Sequence, residues 1–117
     1  MCGDEMGIAL QALDGLYGRP AAGVRVRLEH IDNGAWCADV KAETDHEGRV
    51  GEWRGRRFDR GLHRIVFESD SYFVGLGLTA AYPEISITFR MQDEADSYQL
   101  QVLLSPHSYS AYFGSLT

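Results

Sequence analysis

A chain of 117 residues with 44% hydrophobic side chains is the size of one domain and can bury a core without disulfides or metal. Its net charge of −6 and pI near 5.1 exclude the basic face that phosphate contacts require, so no nucleic-acid partner is expected. No apolar run approaches the ~20 residues of a membrane span, and Met1-Cys2-Gly3-Asp4-Glu5 lacks the basic start of a signal peptide, so a cytoplasmic setting without a membrane partner is expected.

The chain reads as a single domain over 1–117, with 1–6 a frayed terminus that carries Cys2; Cys37 is the other cysteine, and free thiols are expected. Ile8 to Leu13 is the first candidate strand, closed by the turn residues Gly18-Arg19-Pro20. Val24, Val26 and Leu28 then alternate with Arg25, Arg27 and Glu29, the pattern of a strand with one buried face. Asp32-Asn33-Gly34 marks a turn into a strand from Ala35 to Glu43, and Asp45-His46-Glu47-Gly48 marks the next turn. Arg54, Arg56, Arg57 and Arg60 are interleaved with Glu52 and Asp59, which makes a solvated loop a better reading than a phosphate site.

Arg64 to Glu68 is again strand-like, whereas Asp70 to Leu78 is apolar without alternation and reads as a short helical turn. Ile85, Ile87, Phe89 and Met91 alternate with Ser86, Thr88 and Arg90, and Tyr98, Leu100, Val102 and Leu104 alternate with Gln99, Gln101 and Leu103. Ser105-Pro106 turns the chain into a last strand from Ser108 to Gly114. Short strands at this spacing predict an all-β sandwich.

No general catalytic motif is present, and neither metal nor cofactor is expected, since no Cys/His ligand spacing or phosphate loop occurs. The histidines (His30, His46, His63 and His107) are scattered; His46 and His107 stand in loop-like segments among polar residues. In a strand, Gln99 and Gln101 share a face opposite Tyr98, Leu100 and Val102.

Ile8-Ala9-Leu10-Gln11-Ala12-Leu13-Asp14, followed by Gly18-Arg19-Pro20-Ala21-Ala22-Gly23-Val24, resembles the opening of the transthyretin-like family. Thr44-Asp45-His46-Glu47-Gly48-Arg49 resembles the T-x-x-x-G-R loop of its 5-hydroxyisourate hydrolase branch. Ser71-Tyr72-Phe73 and Tyr82-Pro83-Glu84-Ile85 match its helix region and the approach to the next strand. The tail, Leu103-Leu104-Ser105-Pro106 through Tyr109-Ser110-Ala111-Tyr112-Phe113-Gly114-Ser115, resembles the L-L-S-P-x-x-Y-S-x-Y-R-G-S ending of the hydrolases. The resemblance runs from Ile8 to Ser115 and implies a sandwich of two four-stranded sheets with one short helix. It also implies a homotetramer, a dimer of dimers whose channels bind a small molecule between subunits.

The same resemblance exposes pointed departures. The hydrolases use two histidines; Gln11 and Gln99 stand at those positions, while Arg49, Tyr112, Gly114 and Ser115 are retained and Phe113 replaces the arginine of the ending. A glutamine amide donates and accepts hydrogen bonds but does not titrate, so it cannot act as the imidazole does near neutral pH. Candidate catalytic residues are therefore Arg49, Gln11, Gln99, Ser115 and His46, with Asp45 or Tyr112 as other possible bases. Tyr112, Phe113, Gly114 and Gln101 are candidate contacts to the ligand, Phe113 being expected to add aromatic surface to the channel. One reading is an enzyme on a cyclic, carbonyl-bearing small molecule, with cyclisation, isomerisation or ring opening in specialised metabolism as its reaction. A non-catalytic binder of the vertebrate transthyretin kind and an authentic hydroxyisourate hydrolase are the alternatives.

Overall fold

A computed structural model describes residues 5–53, 57–92 and 97–115 of the chain. The strands are β1 (Glu5–Asp14), β2 (Arg19–Pro20), β3 (Arg25–Asp32), β4 (Ala35–Glu43), β5 (Phe58–Asp59), β6 (Gly61–Phe67), β7 (Ile85–Met91), β8 (Ser97–Leu104) and β9 (Tyr109–Ser115). One helix, α1 (Ser69–Gly75), and a short 3₁₀ turn (Gly51–Trp53) complete the described elements. One sheet runs β2-β1-β8-β9, with the two-residue β5 paired to the start of β1; the other runs β4-β3-β6-β7. This is the expected sandwich of two four-stranded sheets.

The alternation in the sequence is the reason for the layers. In β8, Tyr98, Leu100, Val102 and Leu104 are buried, while Gln101 and Leu103 face out. Ile8, Leu10 and Ala12 of β1 do the same beside them, and Val26, Leu28, Ile65, Phe67, Ile85 and Phe89 close the core from the opposite sheet. The β3–β4 hairpin turns at Asn33 and Gly34, whose φ values of 52° and 78° are those a two-residue hairpin turn demands.

Several boundaries differ from the sequence reading. The first strand extends to Asp14 because β8 pairs with it along its length, ending Asp14 against Leu104. The strand expected from Arg64 starts earlier, at Gly61, because His63 continues the buried alternation of Ile65 and Phe67. Glu68 has left that strand; its N–H donates to the Arg25 carbonyl at 2.9 Å as the chain enters α1. The two-residue strands β2 and β5 carry too little pattern to be read from sequence. Residues 1–4, Arg54, Arg56, Leu116 and Thr117 lie outside the described residues.

Two buried carboxylates anchor polar contacts: Glu29 ties β3 to β6 within one sheet, and Asp14 ties β1 to α1. Glu29 accepts from Arg27 Nε at 2.9 Å and Arg64 Nε at 2.6 Å. Burial pushes its pKa up, but the bonds from the two guanidinium groups outweigh that and hold it below the ordinary carboxylate range. Asp14 accepts from the Leu16 and Tyr17 backbone N–H groups at 2.8 and 2.9 Å, and from the Tyr72 hydroxyl at 2.6 Å. Burial and then the Asp14 carboxylate raise the Tyr72 phenol to about 12.

That shift has a direction in stability. A phenol that titrates near ~10 in the unfolded chain and higher in the fold stabilises fully below pH ~10, and the contribution fades as pH climbs through the folded value. Urea unfolding across this alkaline window should show a falling midpoint for the native chain. Tyr72→Phe should start less stable and lose that part of the pH slope; an unchanged slope would show that Tyr72 does not titrate with folding.

Candidate functional site

The loop bearing Arg49 is built from its first residue. Thr44 is buried, and its hydroxyl donates to the Ala21 carbonyl at 2.7 Å while accepting from the Val24 N–H at 2.9 Å. Asp45 follows as the staple: one carboxylate oxygen accepts from the backbone N–H groups of Glu47 and Arg49, both at 2.9 Å. The Asp45 N–H donates to the Arg49 carbonyl at 2.8 Å, closing the turn. Gly48 sits at the tip with φ of +77°, and a Cβ there would run into the Ala12 carbonyl oxygen. The glycine thus lets the loop lie directly on β1, where the Ala12 N–H donates to the Gly48 carbonyl at 2.8 Å. Arg49 is bridged, backbone to backbone, to Gln11.

On the outer face of the sheet, the strands bring the expected polar residues side by side. Gln11 of β1 is in register with Gln101 of β8, and Gln101 with Tyr112 of β9. The next row is Ala9, Gln99 and Gly114. Gln11 Nε2 donates to the Glu47 carbonyl at 3.1 Å, and Gln101 Nε2 lies 3.5 Å from Gln11 Oε1. Ala9, Gln11, Arg49, Gln99 and Gln101 line a shallow groove of about 50 Å³. The side chains of Arg49 and Gln99 hold no hydrogen bond or ion pair with another described residue.

Tyr112 extends along β9 over Gly114: a Cβ on Gly114 would stand 2.6 Å from Tyr112 Cζ and against its hydroxyl. Gly114 is therefore the seat of the Tyr112 ring. That relation was invisible in the sequence, where the two residues are merely adjacent parts of a motif.

Phe113 does not join this face. It pairs with Leu100 in register, packs partly buried against the core, stacks on Tyr98 at 5.0 Å and lies tilted against Phe89 at 4.9 Å between ring centroids. The expectation that it adds aromatic surface to the ligand side is corrected by strand alternation, which turns it inward. Ser115 falls in register with the buried Tyr98, on the alternation of Phe113 rather than that of Tyr112. His46 is exposed on the loop and does not line the groove. Asp45 has its carboxylate engaged by the loop backbone, which suits a scaffold better than a base.

The remaining histidines have structural settings. His63 is 3% exposed, bonded through Nε2 to the Asp59 carbonyl at 2.7 Å and stacked on Phe89. His30 Nδ1 stands 2.6 Å from Asp39 Oδ1, close enough for an ion pair but poorly aligned for a hydrogen bond. Both border a larger cavity of about 560 Å³ on the opposite sheet, where Arg57 and Arg60 are balanced by Asp39 and Asp59. It contains none of the residues that the family resemblance brings forward. Among the described residues, no group of three or more His, Cys, Asp or Glu side chains could hold a metal ion, and no helix is long and apolar enough to cross a membrane.

With two such sheets, a short helix after β6 and an arginine loop laid on β1, the molecule has the class of a transthyretin sandwich. Residues 8–114 match the model of the HIUase/Transthyretin family, and the chain belongs to that family. It is 32% identical over 109 residues to a 5-hydroxyisourate hydrolase of Salmonella typhimurium, covering 92% of this chain and 80% of that protein. Klebsiella pneumoniae 5-hydroxyisourate hydrolase superposes with a TM-score of 0.77 at 25% identity, over 94% of both chains. Sea bream transthyretin, solved in complex with thyroxine, superposes with a TM-score of 0.85 at 24% identity, over 94% of this chain and 96% of that one.

Phe113→Ala tests the inward assignment. Removal of a ring packed in the core should cost about 2–3 kcal/mol, against less than ~0.5 kcal/mol for an exposed aromatic. Urea unfolding distinguishes the two values.

Proposed function

We propose that the outer face of the β2-β1-β8-β9 sheet is the ligand site of a hydrolase acting on rings of the hydroxyisourate kind. The observation that carries this reading is Arg49, tethered to Gln11 at the groove and without another described partner for its guanidinium. A guanidinium available on a braced backbone, beside amide donors, suits an oxyanion developing on a ring carbonyl. Relatives named as hydroxyisourate hydrolases weigh toward ring opening of that substrate, rather than a different reaction in specialised metabolism.

A groove of about 50 Å³ is far smaller than a ring ligand requires, since small-molecule pockets run to ~300–1,000 Å³. The proposal therefore includes a second copy of the chain supplying the opposite wall, as in a homotetramer arranged as a dimer of dimers. The cytoplasmic setting belongs to the same proposal. In the reaction, water oxygen bonds to the ring carbonyl carbon, the carbon–nitrogen bond breaks, and the released nitrogen takes up a proton. Neither Gln11 nor Gln99 can hold the proton that water gives up, so solvent or the ring itself takes it. Catalysis then rests on positioning and on Arg49, and should fall short of an imidazole-based enzyme by ~10²–10⁴.

A non-catalytic carrier is the second reading, favoured by the absence of an imidazole among the residues lining the groove. The decisive assay follows hydroxyisourate decay with purified protein against the uncatalysed rate. Saturable acceleration that disappears in Arg49→Ala, with the oligomer intact by light scattering, is the expected result. Saturable binding without acceleration moves the protein to the carrier reading. Full activity of Arg49→Ala, or a stable monomer, would defeat the proposed site.

A further inference from the structure

The two glutamines that look equivalent in the sequence are held differently, and the difference assigns them separate work. We infer that Gln99 is the residue that selects the ligand, reading an unsubstituted –NH–C(=O)– edge of a cyclic amide, and that Gln11 is a positioning residue for the Arg49 loop. This inference rests on the reading of the outer face as the ligand site and goes on to name the chemical feature it recognises.

The orientation of Gln11 follows from chemistry. Its neighbour at 3.1 Å is the Glu47 backbone carbonyl, which only accepts, so the atom facing it must be the amide nitrogen. Oε1 then points the other way, to the Gln101 amide nitrogen at 3.5 Å. Flipping the Gln11 amide would set carbonyl against carbonyl at Glu47 and lose that contact. Gln11 is thus a clamp between the loop carrying Arg49 and strand β8.

Gln99 has no such engagement among the described residues. Its register neighbours are Ala9 and Gly114, so no long side chain arises beside it from either adjoining strand. The Tyr112 ring lies over Gly114, the β9 residue in register with Gln99. A primary amide offers one N–H and one C=O in the same plane. A ring edge carrying an adjacent N–H and C=O pairs with it in two parallel hydrogen bonds, as glutamine pairs with an adenine edge. Arg49, across the groove, is left for a second ring oxygen. The class so defined is the five- or six-membered cyclic ureide or imide with a free N–H; an N-methyl group removes the donor and occupies the approach.

The test uses two stable rings, hydantoin and 1,3-dimethylhydantoin, titrated into the intact oligomer by NMR or calorimetry. The native protein should prefer hydantoin by at least about tenfold, the scale of one or two lost hydrogen bonds. Gln99→Leu should reduce the preference to near parity. Gln11→Leu should retain it while weakening both rings, because Arg49 is no longer held in place; Arg49→Ala should also weaken both. Equal binding of the two rings to native protein, or undiminished preference in Gln99→Leu, overturns the assignment. If that happens while Arg49→Ala still weakens binding, the outer face stands as the ligand site and only the role of Gln99 falls. No saturable binding of either ring, or binding indifferent to Arg49→Ala, removes both.

Discussion

The molecule depends on the parallel pairing of β1 with β8, which runs from Gly7 against Ser97 to Asp14 against Leu104. It joins segments about ninety residues apart in the chain, so its closure entropy is large and must be offset by the burial the ladder makes possible. The same ladder sets both faces at once. Inward, it interleaves Ile8, Leu10 and Ala12 with Tyr98, Leu100 and Val102. Outward, it sets Gln11 beside Gln101 and Ala9 beside Gln99. A slip of one residue would bury glutamines and expose leucines, so hydrophobic burial, rather than any polar contact, positions the candidate site.

The Arg49 loop is subordinate to that ladder but not a passive attachment. Its approach to β1 is backbone to backbone through Gly48 and Ala12, at a distance only a residue without Cβ can reach. Asp45 closes the turn and Gln11 clips its far side. The Arg49 backbone is thereby held on a braced loop, which limits the region its side chain can sample and, for the proposed site, the reorganisation a developing oxyanion would require.

Alternation in Val24–Leu28, Ile85–Met91 and Tyr98–Leu104 was enough to read the strands, since a half-buried strand writes its two faces into every second residue. The family resemblance then supplied the division into two four-stranded sheets, while which strands share a sheet, a long-range fact that local pattern does not contain, came from the structure. What remained illegible came from contacts between segments distant in sequence. His63 was one of four scattered histidines with no assigned setting until its cross-strand place against Phe89 and the Asp59 carbonyl was seen. Phe113 was read by its place in a motif, whereas the parity of β9 counted from Leu100 turns it into the core.

The same limit applies to Gln11 and Gln99. By the family resemblance both stand at histidine positions of the hydrolase pattern, and identical replacements suggest identical roles. Their neighbours break that symmetry: Gln11 meets a backbone carbonyl on one side and an amide on the other, while Gln99 stands between an alanine and a glycine. In an imidazole pair, differences of this kind would tune two pKa values. In an amide pair, which does not titrate, they can only set orientation and availability. The change from imidazole to amide therefore moves control of the site from proton affinity to geometry. For the proposed site, the loop brace and the register of β1 with β8 are then what set the placement of its polar groups.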